Sequence, residues 1–222
     1  MEPHLWSHLA YALSITPLPK KVDVVFIHAF DNFLDELLRR AGEISKIFPG
    51  VTVVINGATS YEVGGRGVEY ARKKLEAEGV SSLCIFETLP ALHTNAEAQA
   101  FARFAKEHSI ESAIVLTIPP HLMRAYLTSV HVFGECPARI QLVPQTILVD
   151  WDTKVEIAGL VSIPEKTSLI GRLYSECARI MKYRMLYEAG DSAYGIASIR
   201  EGMLHLRPLV PEIVDRALES AL

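Results

Sequence analysis

Short apolar runs alternate along this chain with longer mixed stretches. Val22–His28 (VDVVFIH), Val51–Ile55, Ser82–Phe86, Ala113–Thr117 and Arg139–Val143 are dominated by apolar, β-branched or aromatic residues and are bounded by turn-forming positions. This pattern predicts five strands. Val51–Ile55 is nearly continuous, as expected of a strand covered on both faces. Between the strands the apolar period changes to that of a helix. One helix is capped by Asp31 or Asn32, buries Phe33, Leu37 and Leu38, and ends before Pro49-Gly50. A second runs from Val68 to Glu78 and stops at Gly79, a third from Thr94 to about His108, and a fourth from near Pro120 to about Phe133. Strands alternating with helices predict βαβ units, hence an α/β protein with a mostly parallel sheet of about five strands and helices on both faces.

The flanks add helices. Leu5, Leu9 and Leu13 share one side of a helix over residues 4–15, which Pro17 and Pro19 end. Ile147–Val149 is open to reading as a strand or an edge, and Val155–Val161 as a strand or an extended arm. From Pro164 the chain turns helical again. Leu169, Leu173, Cys177, Ile180 and Met181 form the expected buried stripe of a helix reaching Glu188. Asp191 or Ser192 then caps a helix ending near Gly202, and a last helix covers Glu212–Ala221. The expected organisation is a single α/β domain over residues 1–222, with its core at about 20–150 and a helical extension at about 165–222.

Composition narrows the function classes. Half of the 222 residues are hydrophobic and 22% are charged, enough for a substantial core. A net charge of −4 argues against a protein that coats nucleic acid. Cys84, Cys136 and Cys177 lack Cys-x-x-Cys spacing and read as free thiols of a reducing compartment. No basic segment precedes an apolar run at the N-terminus, and no stretch of about 18 uninterrupted apolar residues is present. The expected location is the cytoplasm, with no membrane partner.

Ligands of open parallel sheets bind beyond the carboxyl ends of the strands. Those ends carry His28 after the first strand, then Asn56, Gly57 and the Gly64-Gly-Arg-Gly67 loop after the second. Glu87, Thr94, Asn95 and Glu97 follow the third, and Thr117, His121 and Arg124 the fourth. His121 and Arg124 are three apart at the start of a helix and share a face. A cation in the first turn opposes the helix dipole, so Arg124 calls for an anion or a carboxylate partner, and Glu87 is the candidate partner. Each piece has a second reading. Gly65 and Arg66 cradle a phosphate or belong to a plain turn. Thr94-x-x-Glu97 is a capping box or a pair of ligand contacts. Glu87 is a general base, a hydroxyl acceptor or a solvated strand end, and His121 a proton-transfer group or a structural histidine. A metal site drawn from His28, Asp31 and Glu87 lacks supporting ligand spacing, so a metal is not indicated.

Taken in order, Ile55-Asn-Gly57, Glu69-Tyr-Ala71, Gly79-Val80, Glu87, Thr94-Asn-Ala-Glu97 and Leu116-Thr-x-x-x-His121-x-x-Arg124-Ala125 resemble the YdcF/SanA/ElyC family. This bacterial family is named largely for a domain of unknown function. The resemblance spans roughly residues 20–145. It implies a Rossmann-like three-layer sandwich and carries the family's signature positions onto Glu87, Thr94, Asn95, Glu97, His121 and Arg124. S-adenosylmethionine, linked with the YdcF branch, and nucleotides become the cofactor candidates. Two features depart from the family. His28-Ala29-Phe30 stands where members usually have a glycine-rich turn, and the membrane anchor of SanA- and ElyC-like relatives is not seen. The helical C-terminal region is longer than the family leads one to expect and is a candidate lid or homodimer surface.

The resulting expectation is a protein that binds a small anionic ligand, a nucleotide or phosphorylated metabolite, at the strand ends. Arg124 neutralises the anion. Asn95, Thr94, Glu97, Asn56, Gly57, Gly65, Arg66, Thr117 and His28 complete the contacts. His121 and Glu87 are the catalytic candidates for group transfer or hydrolysis at a phosphoryl or glycosyl centre. The alternative is a non-catalytic S-adenosylmethionine- or nucleotide-binding sensor.

Overall fold

The apolar runs pair into one parallel sheet. In the computed structural model, which describes residues 3–28, 31–59, 66–135, 140–158 and 164–220, β1 (Val24–Ile27), β2 (Thr52–Ile55), β3 (Ile85–Glu87), β4 (Ser112–Thr117) and β5 (Gln141–Thr146) stand in the order β3-β2-β1-β4-β5. Val25 lies opposite Val53 on one side and Ile114 on the other. The chain order reverses between β1 and β4, the switch point at which such sheets open a ligand crevice.

Both faces of the sheet are covered, so alternate residues of each strand enter different cores. Val25, Ile27, Val53 and Ile55 pack with α2 (Leu34–Ile47) and α3 (Gly67–Ala77). Val24, Phe26, Val54 and Val115 pack with α4 (Thr94–Glu107) and α5 (Pro119–Gly134). On this second side lie α1 (Pro3–Ile15), α7 (Ile199–Leu206) and α8 (Pro211–Glu219), with Leu9, Met203 and Val214 fully buried among them. The architecture is the expected α/β Rossmann-like three-layer sandwich with C-terminal helices. No helix among the described residues is long and apolar enough to cross a membrane.

Several element boundaries differ from the sequence reading. Ser82–Cys84 is not strand but a 3-10 turn, closed by the Ser81 hydroxyl accepting from the Leu83 amide. A side chain–backbone bond competes there with sheet pairing and shortens β3. β5 runs on to Thr146 through Pro144, which an edge strand accommodates despite the missing N–H. Ile147–Val149 is not a strand. Val155 belongs to β6 (Lys154–Ala158), which pairs antiparallel with β7 (Pro164–Ser168) in a two-stranded ribbon. The helix expected from Pro164 therefore starts later, as α6 (Leu169–Glu188), where the Ser168 hydroxyl accepts from the Gly171 amide. Asp191 caps only a 3-10 turn, and the following helix, α7, is capped by Ser198, which forms a complete capping box with Glu201.

The buried face of α6 also differs. It comprises Leu169, Arg172, Glu176 and Ile180, whereas Leu173 and Cys177 are half-buried and Met181 is exposed. A polar pair displaces two apolar residues from the inner stripe because α6 packs on α5, where Arg124 takes Glu176 as its partner.

Candidate functional site

A cavity of about 400 Å³ opens at the carboxyl ends of β1 and β2, beside the switch point. Its floor includes Ile27 and Ile55, the last residues of those strands. The amino ends of three helices meet its wall: α3 through Gly67, α4 through Thr94 and α5 through His121. Each such end carries partial positive charge. Arg172, Arg179 and Tyr183 of α6 close the remaining side, next to Arg124 of α5.

Arg124 is 5% exposed and fully engaged. Its Nε and Nη2 donate to the two carboxylate oxygens of Glu176, and its Nη1 donates to the Thr94 hydroxyl at 2.6 Å. Arg172 Nη2 contacts the same Glu176 carboxylate at 2.5 Å. Tyr183 lies under the Arg124 guanidinium, 5.7 Å from ring centroid to Cζ. Burial disfavours the Glu176 carboxylate, but the His121 and Arg124 contacts outweigh it and hold its pKa far below the usual range. Burial lowers the Arg172 pKa to about 10, against the pull of Glu176.

The expected Arg124–Glu87 pair is not formed. Glu87 is exposed and accepts from Arg72 at 2.6 and 3.0 Å, on the outer side of β3. It does not line the cavity.

His121 faces the cavity with its Nδ1 3.5 Å from Glu176. Burial, reinforced by the neighbouring Arg124 charge, lowers its pKa to about 4, so near neutral pH the imidazole is uncharged. His28, at the end of β1, is wholly buried, and its ring stands edge-on to that of His121 at 6.1 Å. His28 Nδ1 lies 3.0 Å from Glu97 Oε2, while Nε2 has no hydrogen-bond partner among the described residues. Burial raises the Glu97 pKa, but the His28 hydrogen bond, the two imidazoles and the Asn56 amide together bring it below the ordinary value. An ionised carboxylate only accepts, so the shared proton belongs to His28 Nδ1.

Thr94 and Glu97 do not form the capping box. His93 is the N-cap of α4, its Nδ1 accepting from the Ala96 amide at 3.2 Å. With the cap one residue earlier, Thr94 and Glu97 turn inward, one to Arg124 and the other to His28. Asn56 is a clip between loops: its Oδ1 accepts from the Ala58 and Ala91 amides, and its Nδ2 donates to Ala91 O and Glu97 Oε1. Gly57 is required for close approach, since a Cβ there would lie 2.2 Å from Thr88 O.

The remaining candidates sit away from the cavity. Thr117 is buried and laces strand ends, donating to His28 O and accepting through its carbonyl from Thr146. Asn95 Nδ2 donates to Ala193 O, tying α4 to the turn after α6. Arg66 is exposed and pairs with Asp35 and Tyr70. Gly65 lies outside the described residues. The sheet ends thus bring together His28, Asn56, Thr94, Glu97, His121 and Arg124. Arg172, Glu176, Arg179 and Tyr183 were not anticipated. Their signal is in the sequence as a polar series at i, i+4, i+7 and i+11, which is one face of a helix.

Chemically, the site offers guanidinium groups and helix amino ends for an anion, and a neutral imidazole beside a carboxylate-held one for proton transfer. No protein-family model and no curated protein matches this chain.

Proposed function

We propose that the cavity binds a small anionic ligand, a nucleotide or another phosphorylated metabolite. The observation that supports this reading is the convergence of Arg124, Arg172 and Arg179 with three helix amino ends on one cavity at the switch-point side of the sheet. Glu176 positions Arg124 and Arg172, and the ligand's anion is taken by the wall that Arg172 and Arg179 present. In this reading the chain is a cytoplasmic YdcF-like protein; S-adenosylmethionine, a net cation, is the ligand to test for the alternative, a non-catalytic sensor. Titration with AMP, S-adenosylmethionine and pyrophosphate, beside mass spectrometry of whatever co-purifies, gives at least one ligand. Its affinity falls tenfold or more in Arg179→Ala. Undiminished affinity in that variant refutes the reading.

The Glu97–His28 pair beside a neutral His121 favours chemistry over storage. The reaction class is then group transfer or hydrolysis at a phosphoryl or glycosyl centre, with His121 moving the proton. A bound ligand that is never turned over assigns the chain to the sensor class instead. The exposed flank of α6, with Tyr174, Met181 and Met185, is the surface through which a homodimer would form. Light scattering reads that directly.

A further inference from the structure

The cavity has two chemically different walls. One is cationic, built by Arg124, Arg172 and Arg179. The other is built by Ile27, Leu34, Leu38, Ile55 and Ala71, contributed by β1, α2, β2 and α3. A ligand seated with its charge on the first wall presents its body to the second.

In dinucleotide-binding sheets a carboxylate near the end of the second strand reads the ribose hydroxyls. Here that place is held by Asn56, whose two acceptor and two donor capacities are spent on Ala58, Ala91 and Glu97. The residue is a loop clip with nothing left to offer a diol. Sugar hydroxyls laid against the aliphatic wall would lose their water without gaining partners from it, a loss of roughly tenfold or more in affinity for each unpaired group. Apolar carbon laid there gains.

Resting on the anion reading above, we infer that the ligand is an amphiphilic acid: a phosphate or similar anionic head on a compact aliphatic or aromatic body, rather than a nucleoside phosphate. The head meets the α6 wall that Arg172 and Arg179 present, and the body lies between the ends of β1 and β2 and the two helices that cover them. The cavity of about 400 Å³ lies near the lower end of the range of small-molecule sites, which suits a compact body.

Calorimetric titration of the full chain with inorganic phosphate, butyl phosphate, hexyl phosphate, AMP and hexanol tests this. Affinity is expected to rise along the alkyl series, by about tenfold from butyl to hexyl phosphate, since each buried methylene contributes about three- to fourfold. Hexyl phosphate is expected to bind at least tenfold tighter than AMP. Equal affinities along the alkyl series, or AMP as the tightest of the set, overturn the amphiphile and leave the anion reading standing. Hexanol binding as tightly as hexyl phosphate, or no phosphate binding at all, overturns the anion reading and this inference with it.

Discussion

Glu176 grips Arg124 through both carboxylate oxygens, from a position 52 residues further along the chain. The pair is 1% and 6% exposed at the side chains, and the same carboxylate also holds Arg172. Two cations therefore depend on one buried anion. Removing one partner of such a network costs about 3–5 kcal/mol, because the survivors stay buried without compensation. Glu176→Ala is expected to lose stability of that size in urea unfolding, and Glu176→Leu combined with both Arg124→Met and Arg172→Met to recover most of it. A single variant within about 1 kcal/mol of the parent would show that the network does not hold α6 to the body of the protein.

The histidine beside this network predicts how stability changes with pH. His121 titrates near 6.5 in the unfolded chain and at about 4 when folded, so the unfolded state takes up the proton first. The folded state thus has its full advantage above about pH 6.5 and loses it as the pH falls towards 4. The gap is worth roughly 3 kcal/mol at about 1.36 kcal/mol per pKa unit. Glu97 acts in the same direction at lower pH, because its folded pKa is also depressed. Urea midpoints measured from pH 7 to 4.5 should fall steadily, and the slope should flatten in His121→Gln. Parallel slopes for the two proteins would mean that His121 binds its proton equally well in the folded and unfolded chain.

Gly57 gives a test of geometry alone. A Cβ at this position meets the Thr88 carbonyl oxygen, which is backbone and cannot swing away. Gly57→Ala is expected to cost about 1–3 kcal/mol through forced separation of the strand ends. Neutral behaviour, read by thermal unfolding, would show that the two loops separate freely.

Glu87 gives the opposite expectation. Its ion pair with Arg72 lies at the surface, with side-chain exposures of 33% and 38%. Such pairs contribute about 0–1 kcal/mol. Glu87→Gln should leave both unfolding and ligand affinity nearly unchanged. A tenfold loss of ligand affinity in this variant would restore Glu87 to the site.

The fold was legible because a strand covered on both faces has no polar side. Val51–Ile55 and Ala113–Thr117 are short apolar runs rich in β-branched residues between turn-forming positions, which favours strand over a buried helix. The clustering of polar groups followed from where those strands end, and His28, Thr94, Glu97, His121 and Arg124 do meet there. What local pattern did not carry was pairing across distance. Glu87 and Glu176 are equally acidic in sequence, and only the docking of α6 on α5 selects the second. On α6 itself, Leu173 and Cys177 competed with Arg172 and Glu176 for the inner face, and hydrophobic periodicity favoured the wrong set. Thr94-x-x-Glu97 misled for a similar reason. A capping box and an inward-facing pair have the same spelling, and the choice was made by His93 one residue earlier.

The placement of Arg172, Glu176 and Arg179 on α6 has a consequence for the order of assembly. Every strand of the parallel sheet, and the arginine at the head of α5, is synthesised before this helix exists. The chain up to β5 therefore carries every strand of the sheet but not the cationic wall, and within it Arg124 has no Glu176 to meet. The cationic wall is complete only once α6 has docked. Until then the face of α5 that carries Arg124 holds a buried-type cation without its carboxylate.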